Sequence, residues 1–227
     1  QHRDPRPWIG RPVEPEIPVR EAGAVYLIRP YDGYATGLFL DHRVGRVRLR
    51  ELASGRRVLN AFAYTCGFTV AAALGGAVQT VSVDISKKSL EWGKRNLAAN
   101  GIELGRHRFM CCDVFDYYRR AARQGCRFEL LILDPPTFAH LRDGPGSFSL
   151  AADLPRLVDG GLRLLDPGGL LYLSVNHRRT TTRDLVQVAT RAARSGGRGC
   201  TLLECPPLPT DFCGDPDYAK SVLMRID

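Results

Sequence analysis

From about residue 56 onward, short runs of consecutive apolar residues alternate with longer stretches in which apolar positions recur every third or fourth residue. The runs are RVLNAF (57–62), TVSVDI (80–85), HRFMCCD (107–113), ELLILD (129–134), GLLYLSV (169–175), CTLLEC (200–205) and AKSVLMRI (219–226). Short, β-branched and apolar on successive positions, they predict strands buried on both faces. The stretches between them predict helices: GFTVAAALGG (67–76), SKKSLEWGKRNLAANG (86–101), VFDYYRRAARQG (114–125), DLPRLVDGGLRLL (153–165) and TRDLVQVATRAARSGG (182–197). Several stop at glycine, the residue that most easily adopts the left-handed helix cap. Strands alternating with helices predict an α/β fold: a doubly wound, seven-stranded, mostly parallel sheet with helices on both faces, over residues 51–227.

Residues 1–50 follow a different pattern. Pro5, Pro7, Pro12, Pro15 and Pro18 among charges read as an extended arm with little structure of its own. In AVYLIRPYDGYATGLFLDHR (24–43), two apolar segments flank Tyr31-Asp32-Gly33, and Asp-Gly between such segments predicts a short β-hairpin at about 24–40. No repeat or low-complexity block appears. The N-terminal residues QHRDPRPWIG contain no apolar core of a signal peptide, and no run of about 18 apolar residues occurs. The expectation is a cytoplasmic protein with no membrane segment.

Composition narrows the partners. Lys and Arg number 32 against 24 acids, a net charge of +8, and arginine dominates the excess. Arginine suits bidentate phosphate contact, so a polyanion is a plausible partner, although the same charge could serve a solvated surface. Seven cysteines form no Cys-x-x-Cys pair and no metal-ligand spacing, so they read as small core or loop residues in a reducing compartment, with no metal expected.

In an open parallel sheet, ligands sit beyond the carboxyl ends of the strands. The residues just past each predicted strand are therefore the informative ones. The first strand leads into Asn60-Ala61-Phe62-Ala63-Tyr64-Thr65-Cys66-Gly67, the second ends at Asp84, the third at Asp113, and the fourth at Asp134-Pro135-Pro136. Three carboxylates at three successive strand ends point to a ligand rich in hydroxyl and amino donors. Asp84 lies about 20 residues past the turn, where a carboxylate accepts from ribose hydroxyls. Asp113 is placed to accept from an adenine amino group. The turn carries Gly67 alone, hemmed by Phe62, Tyr64 and Phe68, whereas a dinucleotide needs several glycines to bring amides onto its pyrophosphate. A phosphate-free nucleoside with an amino-acid tail matches better.

With these residues in place, the chain resembles the class I S-adenosylmethionine (SAM)-dependent methyltransferases, and within them the bacterial 23S (large-subunit) ribosomal RNA methyltransferases. The blocks TGLFLDHR, VLNAFAYTCGFTVAAALGGA, VSVDISKKSLEWGKRNLAANG and LDPPTFA carry the resemblance, which extends from Val25 to the C-terminus. It implies a Rossmann-like methyltransferase domain with SAM as cofactor. Asn60, Phe62, Tyr64, Thr65 and Gly67 would hold the methionine moiety, Asp84 with Ile85 and Ser86 the ribose, and Asp113 with Val114 the adenine. Phe39, Asp41 and Arg43, on the hairpin, would close over the cofactor. Asp134, Pro135, Pro136 and Phe138 would form the catalytic loop: the prolines fix the backbone, Asp134 accepts, and Phe138 offers a stacking face to a base.

The resemblance covers two branches, cytosine C5 and guanine N7. The cytosine enzymes carry a nucleophilic cysteine just after the fifth strand, where this chain reads SVNHRR with Asn176 and His177. Guanine N7 has an in-plane lone pair and needs no thiol, so the expectation leans to guanine N7. His177, Arg178 and Arg179 would bring positive charge beside an RNA backbone, or stand as solvated charge. Asp211, Phe212 and Tyr218 would line the base pocket, or form a surface loop packed on its own aromatics. The expected partner is RNA, and the resemblance implies ribosomal RNA. Family members commonly carry an N-terminal RNA-binding domain, and some are fused to a second methyltransferase; these residues supply an arm and a hairpin, which suits either a piece of a longer protein or recognition by the catalytic domain alone. A small-molecule methyltransferase and a non-catalytic binding module of the same fold remain as alternatives.

Overall fold

The computed structural model describes residues 10–32, 35–140, 147–212, 215 and 218–227. In chain order the strands and α-helices are β1 (Ile17–Glu21), β2 (Ala24–Ile28), α1 (Arg43–Leu52), β3 (Arg57–Ala61), α2 (Gly67–Leu74), β4 (Gln79–Asp84), α3 (Lys87–Ala99), β5 (His107–Cys111), α4 (Val114–Arg123), β6 (Phe128–Leu133), β7 (Phe138–His140), β8 (Ser147–Ser149), α5 (Leu150–Leu162), β9 (Leu165–Val175), α6 (Thr182–Ser195), β10 (Cys200–Glu204) and β11 (Lys220–Ile226). A single 3-10 turn at Leu40–His42 precedes α1.

The main sheet has seven strands in the order β10-β11-β9-β6-β3-β4-β5. β3 pairs in parallel with both β4 and β6, and β6 pairs in parallel with β9, while β11 runs antiparallel to β9 and β10. All seven strands expected from the apolar runs are present, and so are the five expected helices, each within a few residues of the expected bounds. From β3 the chain runs outward to β4 and β5, then returns to add β6 on the other side. The switch point of the strand order therefore lies between β3 and β6, where such sheets bind ligands.

Two layers of helices cover the sheet. On one face α4, α5 and α6 bury Tyr117, Tyr118, Leu157, Val158, Leu185 and Ala189 against Leu59, Leu131 and Leu173. On the other, α1 and α2 bury Leu49, Phe68 and Ala72 against Leu130, Ile132 and Tyr172. The central strands are buried on both sides, as their uninterrupted apolar sequence requires.

The N-terminal region departs from expectation. A hairpin exists, but it consists of β1 and β2 and turns at Ala22-Gly23, ten residues before Asp32. Both turn residues have positive φ, 48° and 80°, as a two-residue turn of that hand demands. Gly33 of the expected turn lies outside the described residues. Pro18, assigned to an unstructured arm, sits in β1 opposite Leu27; the strand has one neighbour only, so a missing N–H is tolerated there. Asp41 and Arg43 are on the 3-10 turn and α1 rather than on a hairpin strand. The boundary expected after residue 50 falls within α1, whose Leu49 belongs to the core beneath the main sheet. Among the described residues no helix is long and apolar enough to cross a membrane.

Candidate active site

A cavity of about 400 Å³ opens at the carboxyl ends of β3, β4, β5 and β6. The turn after β3 forms its floor. Phe62, Tyr64 and Cys66 have φ of 59°, 47° and 62°, a left-handed region that bulky residues rarely enter. Each such residue costs on the order of 1–3 kcal/mol, so the surroundings must hold the turn in place. They do. Tyr64 N–H donates to Asp84 Oδ2 at 2.8 Å, Thr65 Oγ1 to the Gly37 carbonyl at 2.6 Å, and Asn96 Nδ2 to the Thr65 carbonyl at 2.8 Å. Gly93 of α3 lies so close that a Cβ there would stand 2.3 Å from Cys66 Sγ.

Of the residues expected to hold the cofactor, Phe39, Asp41, Phe62, Tyr64, Thr65, Gly67, Asp84, Ile85, Asp113 and Val114 line this cavity. Asp84 is mostly buried and accepts from Ser86 N–H through Oδ1 as well as from Tyr64 N–H, both at 2.8 Å. Burial raises its pKa above the usual carboxylate value, and these two amides only partly offset that. Asp113 caps α4: its Oδ1 accepts from Phe115 N–H at 2.8 Å and Asp116 N–H at 3.3 Å.

Three expected cofactor residues stand elsewhere. Asn60 is buried beneath the turn, where its Nδ2 donates to Thr69 Oγ1 at 2.9 Å, so it supports the floor without lining the cavity. Ser86 caps α3, accepting from Ser89 N–H. Arg43 points away: its two terminal nitrogens bond Asp211 at 2.9 and 3.0 Å, and its Nε lies 3.6 Å from Glu21.

Asp134, Pro135 and Pro136 form the wall at the β6 end, across from Asp113 after β5, with Thr137 and Asn176 beside them. Thr137 Oγ1 donates to the Asn176 carbonyl at 2.8 Å and so joins the loop after β6 to the end of β9. Phe138 starts β7 and is 52% exposed, outside the cavity lining. The described residues of the 205–219 loop also stay outside: Asp211 is held by Arg43, and the Phe212 and Tyr218 rings pack on each other at 5.5 Å.

Several lining residues have no counterpart in the sequence expectations. His42 is buried with Nε2 3.1 Å from Asp134 Oδ2 and 3.8 Å from Asp41 Oδ2. Burial disfavours its cation, but the charge and hydrogen bond of Asp134, with the charge of Asp41, outweigh burial and the opposing Arg46, and raise its pKa. Arg46 is buried in α1, its Nε and Nη2 bonded to Glu21 at 2.7 and 2.8 Å and its Nη1 to the Phe39 carbonyl at 2.8 Å. Phe148 packs against Phe62 with ring centroids 5.1 Å apart. The signal for His42 was its place beside Asp41 in a block already singled out; Arg46 lies three residues beyond that block and Phe148 far along the chain, so neither carried one.

The doubly wound sheet, the switch-point cavity and the acids at its strand tips together define a Rossmann-like class I methyltransferase fold. The SAM-dependent methyltransferase family model matches residues 8–224, and the chain belongs to that family. Relatives include the "Ribosomal RNA large subunit methyltransferase K" of Neisseria meningitidis, 44% identical over 151 residues, 66% of this chain and 43% of that protein. The "Ribosomal RNA large subunit methyltransferase K/L" of Saccharophagus degradans is 39% identical over 200 residues, 88% of this chain and 25% of that protein. Among solved structures, the methyltransferase SMU.776 complexed with SAH (S-adenosylhomocysteine) superposes with a TM-score of 0.89 at 33% identity, over 96% of this chain and 57% of that one. The chain thus spans less than two thirds of each.

The cavity fits the family's cofactor. Among the described lining residues Arg46 is held by Glu21 and the Phe39 carbonyl and His42 by Asp134, which leaves neither cation free for a pyrophosphate, whereas Asp41, Asp84, Asp113 and Asp134 suit hydroxyl and amino donors and a sulfonium charge. Phe62, Ile85, Val114 and Phe148 supply apolar walls for an adenine ring.

Proposed function

We propose that this chain transfers a methyl group from SAM to a base of large-subunit ribosomal RNA, and that the accepting atom is guanine N7. The observation that carries the reading is the shared cavity: the acids of β4 and β5 and the Asp134-Pro135-Pro136 loop after β6 face one space, so a cofactor and an acceptor can meet there. The ribosomal assignment draws on the names of the relatives and on the net charge of +8.

When bound, SAM supplies a methyl group activated by its sulfonium sulfur. Asp84 would accept from the ribose hydroxyls, Asp113 from the adenine amino group, and Phe39 and Asp41 would cover the cofactor from the segment before α1. Pro135 and Pro136 hold the loop backbone in one direction, so that Asp134 and Asn176 would orient a base toward the cofactor side of the cavity. Phe138, at the loop's exposed end, offers a stacking face to RNA outside the cavity. Guanine N7 attacks with its own lone pair, and no protein base is needed.

Cytosine C5 chemistry would need a thiolate at the base. Among the described residues Cys112 is the cysteine lining the cavity, and it follows β5, three strands from β6 in the sheet and so roughly 14 Å away. Burial pushes its thiol pKa up, and that of the fully buried Cys66 up to about 12, so neither is a ready nucleophile. Mass-spectrometric mapping of ribosomal RNA from cells with and without the gene tests the reading: 7-methylguanosine lost at one large-subunit position is expected, and 5-methylcytidine lost instead would overturn the choice of atom. A 5-fluorocytosine RNA should likewise leave no covalent adduct.

A further inference from the structure

His42 is a buried titratable group of the cavity that the mechanism above leaves unused. It belongs to the 3-10 turn that also carries Asp41 and follows Phe39, the segment on the cofactor side, yet its Nε2 reaches across to Asp134 Oδ2 at 3.1 Å, on the acceptor side. We propose that His42 is the positioning residue of the Asp134 loop: it fixes the carboxylate, ties the cofactor-side turn to the acceptor-side wall, and makes methyl transfer rather than cofactor binding depend on its proton. The inference rests on the reading of that loop as the acceptor wall.

The geometry around His42 permits little else. The Phe68 ring of α2 packs against the imidazole with centroids 5.3 Å apart, which restricts its rotation. The charged and titratable groups facing it are Asp134 after β6, Asp41 on its own turn, Arg46 of α1 and the Tyr172 hydroxyl of β9. Arg46 is neutralised by Glu21, and the Tyr172 hydroxyl donates to Ser221 Oγ at 2.9 Å, so neither competes for Asp134. With Oδ2 engaged by the imidazole, Oδ1 of Asp134 is the oxygen left to meet a base. Protonated His42 balances the Asp134 charge. Without that proton the wall carries one more unit of negative charge, and a fixed negative charge stabilises a sulfonium in the ground state more than in a transition state where its charge is dispersing, so the barrier rises.

The sign follows from the direction of the shift. A histidine whose pKa is raised by its partner holds its proton to a higher pH than a free imidazole, so transfer should decline on the alkaline side as pH rises through the raised value. Three measurements test this on this chain. In an NMR titration of the imidazole resonances, Asp134→Asn should lower the His42 pKa by at least one unit while Asp84→Asn leaves it in place. In single-turnover methylation at saturating SAM, wild type should lose activity on the alkaline side, whereas His42→Gln, which can donate but not titrate, should retain a reduced rate without that limb. His42→Ala should lose at least tenfold in rate with SAH affinity by calorimetry within threefold of wild type. A His42 pKa indifferent to Asp134→Asn, or a His42→Ala rate equal to wild type, would overturn the proposal. Wild type inactive on ribosomal RNA would sink the substrate assignment instead, and the titration would still decide the pair.

Discussion

Asp134, Asp84 and Asp113 were legible because three successive apolar runs each end in a carboxylate, although one of them, Asp113, also caps α4. Each indeed lines the cavity. Asn60 and Ser86 stand in the same blocks but answer local needs, one bonding Thr69 beneath the turn and the other capping α3, and sequence position alone does not separate these jobs. His42 and Arg46 escaped notice because a buried His or Arg is recognised by its partner, and their partners lie across the fold in Asp134 and Glu21. At this scale Asp134→Ala should abolish turnover while SAH affinity, measured by calorimetry, stays within about tenfold, some 1.4 kcal/mol. Unchanged turnover would remove the loop from the mechanism. Asp84 predicts a pH dependence of binding. Its carboxylate accepts from ribose only when ionised, so SAH affinity should be constant near neutrality and fall as pH drops through a value above the ordinary carboxylate range. The sign for folding is the reverse: ionised Asp84 weighs against the cofactor-free fold once pH exceeds that raised value, and the cost is absent below the ordinary one. A binding curve flat in pH down to about 4 would contradict this assignment.

Among the elements, the strands and helices from β3 onward were legible because two-sided burial forces continuous apolar runs and amphipathic helices force a period near 3.6. The helix α1 was not. Its buried face presents Gly45, Arg46 and Leu49, so the stripe that should announce it is mostly not apolar. Gly45 allows close packing, since a Cβ there would stand 2.1 Å from the Tyr172 hydroxyl. The hairpin was displaced because Asp-Gly outranks Ala-Gly as a turn signal, although Ala22 and Gly23 make the turn. The floor turn gives a prediction at this scale. Gly93→Ala should gain about 1 kcal/mol of helix propensity and lose about 1–3 kcal/mol by overpacking against Cys66, whose Sγ would stand 2.3 Å from the new Cβ. The second effect wins, because the turn it displaces is already strained. Thermal melting should show a Tm lowered by several degrees, with SAH binding weakened in step. A melting point raised by the substitution would show that the turn yields freely.

For the molecule as a whole, the class of fold was legible from the alternation of elements, and the cofactor from the lack of a phosphate cradle at a site otherwise built for adenosine. The acceptor was less so, because base recognition belongs to loops and to surfaces shared with RNA rather than to the sheet. The net charge of +8 predicts that RNA binding weakens steeply as salt rises from about 50 to 200 mM, whereas a small acceptor molecule would bind almost independently of salt. The central claim is that acids at the tips of β4, β5 and β6 and the turn after β3 converge on a phosphate-free adenosine. Calorimetric titration of SAH into wild type and Asp84→Ala, with NAD as the competitor carrying a pyrophosphate, tests it most directly. The account predicts one SAH bound per chain, at least tenfold weaker binding in the variant, and no measurable binding of NAD. Equal affinity of wild type and variant for SAH, or NAD bound as tightly as SAH, would contradict it.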